Sequence, residues 1–180
     1  LKVNQLYFSK NFDETLIYLN KLDSLNFRSV NTYEMFGMCY FNLKDFEKAE
    51  MSFKKALKIE FNNPKILYRL ASLHYEQNDT HQAKYDLTLS IFYSKPDTDK
   101  QYFLLGTIYK EENDLKKALI NFEKAFQNYS KNYKALFEIA TTSDAYFKDK
   151  KYFQQFESRD EKMTEFIIQR IKELKKRVIY

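Results

Sequence analysis

The sequence predicts an all-α protein, a stack of antiparallel helix hairpins. Its 180 residues hold only two Gly and two Pro, which leaves little of the turn chemistry that β-hairpins and barrels need. Apolar residues recur at steps of three and four, which is the period of a helix. The same pattern returns every 34 or 35 residues, and such a period indicates a repeat architecture.

The repeat is clearest where small residues recur, at Gly37, Ala71, Gly106 and Ala140, spaced by 34, 35 and 34 residues. Four further ladders keep the same register: Tyr40, His74, Tyr109 and Ser143; Ala49, Ala83 and Ala118; Phe53, Leu87 and Phe122; Ala56, Ser90 and Ala125. Five ladders in one phase indicate that the repeat governs the whole chain.

The elements follow in order along a single predicted domain, 1–180. They are a partial repeat over 1–29, regular repeats over 30–63, 64–98 and 99–132, an atypical repeat over 133–159 and a capping helix over 160–180. Each regular repeat is two helices, joined at Lys44-Asp45, Asn78-Asp79 and Asn113-Asp114. Both prolines, Pro64 and Pro96, fall between repeats, where a missing N–H does least harm.

The alternation of small and large residues predicts how each hairpin packs. Gly37 and Gly106 on the first helix are expected to oppose Ala49 and Ala118 on the second, because larger side chains would push the helix axes apart. Phe53, and Phe122 two repeats later, are expected to fill the remaining space between the helices. One hairpin alone leaves an apolar face in water, so the hairpins must stack and need end caps.

The two ends are less regular. In 1–29, Thr15, Leu19 and Leu22 occupy the positions of the small and large core residues. In 133–159 the first helix keeps the pattern, but the second, around Tyr152, has lost its small residue. Residues 160–180 are predicted to form one helix, whose apolar residues lie along a single stripe. This stripe is expected to seal the last repeat. Because residue 1 is Leu and no leader pattern follows, we expect the chain to be a piece of a longer protein.

These residues resemble the tetratricopeptide repeat (TPR) family. Its pattern is an aromatic residue, Leu-Gly, Tyr, then Ala, Phe and Pro. It is matched by Tyr33-x-x-Phe36-Gly37-x-x-Tyr40 with Ala49, Phe53 and Ala56, and by Tyr102-x-x-Leu105-Gly106-x-x-Tyr109 with Ala118, Phe122 and Ala125. The closing Pro is replaced by Phe61, Lys95 and Ser130. The repeat over 64–98 departs at His74 and Ser90, which predicts different packing there.

The resemblance implies a right-handed superhelical solenoid whose first helices line a concave groove that holds segments of other proteins. In the family register, Lys65, Lys100 and Lys134 share one groove position. We predict that the groove takes an acidic peptide or a free C-terminal carboxylate, with apolar contacts between the charges. The predicted site residues are Lys65, Tyr68, Arg69, Lys100, Phe103, Lys134 and Phe137.

Two alternatives stay open for this site. The lysines are equally typical of a solvated basic face, and the aromatic residues of ordinary packing. The carboxylate clamp of chaperone-tail receptors is disfavoured, because Lys65 and Arg69 match one pair of that clamp while its other positions hold Leu1, Gln5 and Met35.

Other classes of function find little support. No glycine-rich phosphate loop, HExxH or GxSxG motif occurs, so we expect no enzyme and no cofactor. One Cys and two His are too few for a typical zinc site, so no metal is expected. Cys39 and His74 are interpreted as buried structural residues.

The charge of +5 is concentrated at the end of the chain, since 147–180 holds ten Lys/Arg against six acids. We therefore expect no nucleic acid along the balanced central repeats, and no apolar run reaches the roughly 20 residues of a membrane span. The predicted function is a non-catalytic protein–protein interaction module. The alternative is self-association into a homo-oligomer through exposed repeat ends or the last helix. The sequence does not indicate a compartment.

Overall fold

The computed structural model describes residues 2–94, 98–130 and 132–148. All regular secondary structure in these ranges is helical, so the predicted all-α class is confirmed. The helices are α1 Lys2–Phe8, α2 Phe12–Ser24, α3 Val30–Asn42, α4 Phe46–Ile59, α5 Pro64–Glu76, α6 Thr80–Tyr93, α7 Asp99–Glu111, α8 Leu115–Asn128 and α9 Tyr133–Lys148.

The chain forms two compact bodies. The N-terminal body, Leu1–Ser94, contains three hairpins, α1–α2, α3–α4 and α5–α6. The C-terminal body, Lys95–Tyr180, contains the hairpin α7–α8 and the helix α9, which packs on α8. The predicted second helix around Tyr152 and the predicted capping helix over 160–180 lie outside the described residues.

One turn geometry joins the two helices of each hairpin. A residue in the left-handed region ends the first helix, and the next residue caps the second helix by accepting a hydrogen bond from a backbone N–H with its side chain. These residue pairs are Lys10-Asn11, Lys44-Asp45, Asn78-Asp79 and Asn113-Asp114. The three hairpin turns predicted from the sequence are therefore confirmed, and the same turn joins α1 and α2 into a short hairpin.

The core follows the ladders of small and large residues. Ala49, Phe53 and Ala56 of α4 are fully buried, as are Ala118, Phe122 and Ala125 of α8. The atoms nearest to a Cβ built at either glycine belong to the large residue of the second helix. A Cβ placed on Gly37 would lie 2.3 Å from Cε1 of Phe53, and one on Gly106 would lie 2.6 Å from Cδ1 of Phe122. Each glycine is thus required by the ring that packs on it.

The hairpin α5–α6 packs differently, as its departures from the repeat pattern predict. His74 takes the place of a tyrosine, and its Nδ1 lies 2.7 Å from Oδ2 of Asp86 on α6. Ser90 takes the place of an alanine, and its hydroxyl donates to the carbonyl oxygen of Pro64 at 2.7 Å. Both substitutions replace apolar contact with a buried polar pair.

Candidate functional site

The candidate site of the N-terminal body is the side of its first helices that their own second helices leave open. Met35 and Met38 on α3, and Tyr68 and Tyr75 on α5, are half-buried there, so apolar atoms remain available for contact. Methionine side chains adapt their shape to what they contact. We call these four residues, together with the charged residues that follow, the first-helix face.

A three-residue ion cluster lies on this face. Nζ of Lys65 is 2.7 Å from Oε2 of Glu34, and Nε of Arg69 is 3.2 Å from Oε1 of the same carboxylate. The side chain of Glu34 is only 8% exposed, whereas that of Lys65 is 60% exposed. Two cations against one anion give the cluster a net charge of +1. It also ties α3 to α5, the first helices of consecutive hairpins.

The charges of Arg69 and Glu34 also act on the phenol of Tyr7 on α1. Burial raises the pKa of its phenol, and the positive charge of Arg69 opposes that rise. The first-helix face therefore extends over α1, α3 and α5.

The ion cluster changes the meaning of two predicted site residues. Lys65 and Arg69 are on one helix, as the sequence predicts, but they already hold a carboxylate of the protein itself. The sequence analysis missed the role of Glu34, although a signal was present. An acid on one first helix is followed 31 and 35 residues later by two bases on the next, which is one repeat away.

The other predicted residues lie in the C-terminal body. Lys100 is exposed on α7, and Lys134 is exposed on α9 together with Phe137. Phe103 is half-buried, with its ring centroid 5.5 Å from that of Phe122, so it serves the core as well as the surface. The proposed ladder of three lysines spans both bodies and stays a prediction.

An ion pair also joins first helices in the C-terminal body. Nζ of Lys110 on α7 is 2.7 Å from Oε2 of Glu138 on α9. Both bodies therefore cross-link successive first helices by a base and an acid, and in the C-terminal body the base Lys110 is held by an internal carboxylate.

Cys39 and His81 lie away from the first-helix face. Cys39 is fully buried, and burial raises the pKa of its thiol to about 12, so it is not poised as a nucleophile. His81 is exposed in the first turn of α6. Within the described ranges, no three His, Cys, Asp or Glu side chains are arranged to hold a metal ion. No helix in those ranges is long and apolar enough to cross a membrane.

Comparison with known proteins decides the family. The family model described as "Tetratricopeptide repeat" matches residues 30–63 and 102–132, the two repeats with the closest pattern. This chain contains tetratricopeptide repeats. The matched residues contain Gly37 with Phe53 and Gly106 with Phe122, so the sequence match and the glycine–ring packing describe the same TPR feature.

Solved structures show the same TPR fold over nearly the whole chain. A crystal structure of MamA superposes with a TM-score of 0.71 at 18% identity, covering 99% of this chain and 97% of MamA. The first TPR domain of Spaghetti (RPAP3), solved with the HSP90 peptide SRMEEVD bound, superposes with a TM-score of 0.61 at 20% identity. That match covers 65% of this chain and 94% of the RPAP3 domain.

One curated relative that matches is sperm-associated antigen 1 of Rattus norvegicus. The two are 34% identical over 67 residues, which is 37% of this chain and 8% of the relative. The match thus spans a small part of that protein. What the TPR fold supports for this chain is a scaffold for protein–protein interaction.

Proposed function

We propose that the first-helix face binds an extended or helical segment of a partner protein that carries an acidic side chain or a C-terminal carboxylate. The observation that carries this proposal is the pairing of a net positive ion cluster with half-buried Met35, Met38 and Tyr68 on one face. Apolar side chains of the segment would contact the methionines and the tyrosine. Its carboxylate would lie beside Lys65.

Lys65 is the residue best placed to receive the carboxylate. Its side chain is 60% exposed, and an ammonium group has three N–H donors, of which the bond to Glu34 needs one. Arg69 would keep Glu34 neutralised when Lys65 also bonds to the carboxylate of the bound segment. A hydrogen bond to a charged group contributes about 1.5–3 kcal/mol in favourable cases, and less where water competes, as it does at this exposed ammonium.

The C-terminal body is proposed to contribute in the same way. Lys100 and Lys134 are exposed cations on first helices, and Phe137 is an exposed aromatic side chain beside Lys134. The first TPR domain of RPAP3, which shares the fold, was solved with the HSP90 peptide SRMEEVD bound, and the three acidic residues of that peptide support an acidic ligand. The clamp positions occupied by Leu1, Gln5 and Met35 predict that the ligand differs from a chaperone tail.

The test is a binding titration by fluorescence polarisation. The probes are acidic peptides with free and amidated C-termini, and neutral peptides of the same length. The double variant Lys65→Gln/Lys100→Gln leaves Arg69 on Glu34 and is expected to weaken acidic-peptide binding about tenfold. The control double variant, Lys58→Gln/Lys116→Gln, removes one exposed lysine from a second helix of each body and should change little.

The outcome separates the two interpretations of the lysines. If both double variants bind the acidic peptides as the unmodified chain does, or lose affinity equally, the basic residues are a solvated surface. If the acidic peptides bind with a free C-terminus but not with an amidated one, the carboxylate that Lys65 receives is the terminal one rather than that of a side chain.

A further inference from the structure

The outward side of the second helices carries large apolar side chains that the fold does not use. In the N-terminal body these are Ile17 of α2, Met51 of α4 and Tyr85 of α6, which are 67%, 55% and 56% exposed. We call these three residues the outer row. Each stands two residues after a fully buried one, namely Thr15, Ala49 and Ala83. Because two residues turn a helix by about 200°, the row points away from the core.

The row recurs too regularly to be scattered surface residues. Single exposed apolar side chains are ordinary on any protein. Here the same helix position is apolar in α2, α4 and α6, and the C-terminal body repeats it with Ile120 of α8, 43% exposed and two residues after buried Ala118. Apolar side chains gathered on one face mark a surface that another molecule covers.

Opposite charges flank two members of the outer row, Ile17 and Met51, on their two sides. Four residues before Ile17 and Met51 stand the acids Asp13 and Glu47, and four residues after them stand Lys21 and Lys55. All four charged residues are exposed. Residues four apart lie on the same side of a helix. The face therefore has an acidic edge towards the start of α2 and α4 and a basic edge towards their ends.

We propose that the outer row binds the outer row of a second copy of this chain, across a two-fold axis that runs along the row. Such an axis reverses the helix direction, so that α4 of one copy lies antiparallel to α4 of the other. Asp13 of one copy then faces Lys21 of the other, and Glu47 faces Lys55. A two-fold interface uses one self-complementary surface on both copies.

The arrangement of charge selects this occupant over others. An anionic membrane surface would repel Asp13 and Glu47, and an acidic protein would engage only the lysine edge. A second copy in the antiparallel orientation satisfies both edges at once. This interface uses the second helices, so it is separate from the proposed peptide site on the first helices.

Sedimentation velocity over a range of protein concentrations tests the proposal. The unmodified chain is expected to show a monomer–dimer equilibrium. Ile17→Lys and Met51→Lys, made separately, should each raise the dimer dissociation constant about tenfold or more, because a buried charge would replace an apolar contact at the centre. The control is Phe61→Lys, which changes a side chain that is 80% exposed between α4 and α5, off the row. It should leave the dimer intact.

Cross-linking tests the orientation. Met51 lies beside the proposed axis, so Met51→Cys in both copies should be joined by a short bismaleimide, whereas Asn62→Cys, exposed off the row, should not. The native Cys39 is fully buried and leaves the introduced thiol as the accessible one.

Three results would overturn the proposal. They are a monomer at every concentration, a dimer that neither row variant weakens, or cross-linking through Asn62→Cys as efficient as through Met51→Cys. Binding of anionic vesicles that Met51→Lys strengthens would instead identify a membrane surface. Circular dichroism of each variant checks that it folds.

Discussion

The hairpins α3–α4 and α5–α6 have the same helix lengths and the same turn, yet different chemistry holds them together. In α3–α4 the ring of Phe53 lies over Gly37, and Nζ of Lys48 lies 5.5 Å from the centroid of the Tyr40 ring. In α5–α6 the equivalent residues are Leu87, Ala71, Gln82 and His74. One hairpin uses an aromatic ring over a glycine, and the other a smaller side chain over an alanine.

The polar residues differ in the same way. Asp86 of α6 takes the place of Ser52 of α4, and its carboxylate accepts hydrogen bonds from His74 at 2.7 Å and from Nε2 of Gln82 at 3.1 Å. Ser52 only donates to the carbonyl oxygen of Lys48. The repeat therefore fixes the positions of the core side chains, but not the type of contact between them. A buried ion pair in α5–α6 takes the place of an aromatic contact in α3–α4.

The largest effect is expected from removing the buried acid of α5–α6. Asp86→Ala removes the carboxylate 2.7 Å from Nδ1 of the buried His74, leaves only the more distant Glu50 beside the ring, and should lower the free energy of unfolding by about 3 kcal/mol. Ser52→Ala, at the equivalent place in α3–α4, should cost less than about 1 kcal/mol. Urea unfolding of both variants near the unperturbed pKa of histidine measures the difference. Equal losses would show that the two hairpins are held alike.

A second, smaller effect is expected at the glycine of α3–α4. Gly37→Ala places a methyl group against the ring of Phe53 and should cost about 2 kcal/mol. Adding Phe53→Leu reproduces the pair Ala71 and Leu87 of α5–α6, so the double variant should recover about 1 kcal/mol relative to the sum of the single changes. A double-mutant cycle by chemical unfolding measures this coupling, and simple additivity would contradict it.

The third effect is a pH dependence of stability that arises at His74 of α5. The hydrogen bond to Asp86 raises the pKa of His74; burial opposes this, and the charges of Asp86, Glu50 on α4 and Asp79 add to the rise. Because the folded pKa lies above the unfolded value of 6.5, the stabilisation is complete below that pH. It is lost as the pH rises through the folded pKa.

Urea unfolding between about pH 5.5 and 8.5, where carboxylates stay ionised, is expected to show this loss. The double variant His74→Tyr/Asp86→Ser, which copies the α3–α4 residues, should remove it. Nuclear magnetic resonance can follow the imidazole of His74 directly, since the exposed His81 gives the only other histidine signal of the chain. A stability that is flat with pH in the unmodified chain would refute the prediction.

The smallest effect is expected from the lysines that cover tyrosine rings. In α7–α8, which repeats the α3–α4 chemistry, Nζ of Lys124 lies 5.2 Å from the centroid of the Tyr102 ring. Lys124→Gln should cost about 0.5 kcal/mol, since an exposed cation–π contact contributes little. Lys116→Gln, an exposed lysine of the same helix, is the control in thermal unfolding. A loss as large as that of Gly37→Ala would mean that this contact is more than a surface feature.

Much of the fold follows from local rules that the sequence displays. Asn or Asp after a left-handed residue caps each second helix, so the turns were predictable residue by residue. Ala49 and Phe53 recur with the repeat, and burial follows from their helical spacing. The site was predictable only in part, because Glu34 forms its ion pairs with residues of a different hairpin.

The helix hairpins, the repeat length, the resemblance to the TPR family and the break in the pattern at His74 could all be predicted from the sequence, because each depends on side-chain size and spacing along one or two helices. The tertiary structure decided which charges neutralise each other. Glu34 meets Lys65 and Arg69, and His74 meets Asp86 and Glu50, only once separate helices pack side by side. Coulomb interactions depend on distance in space, and the chain order does not contain that distance.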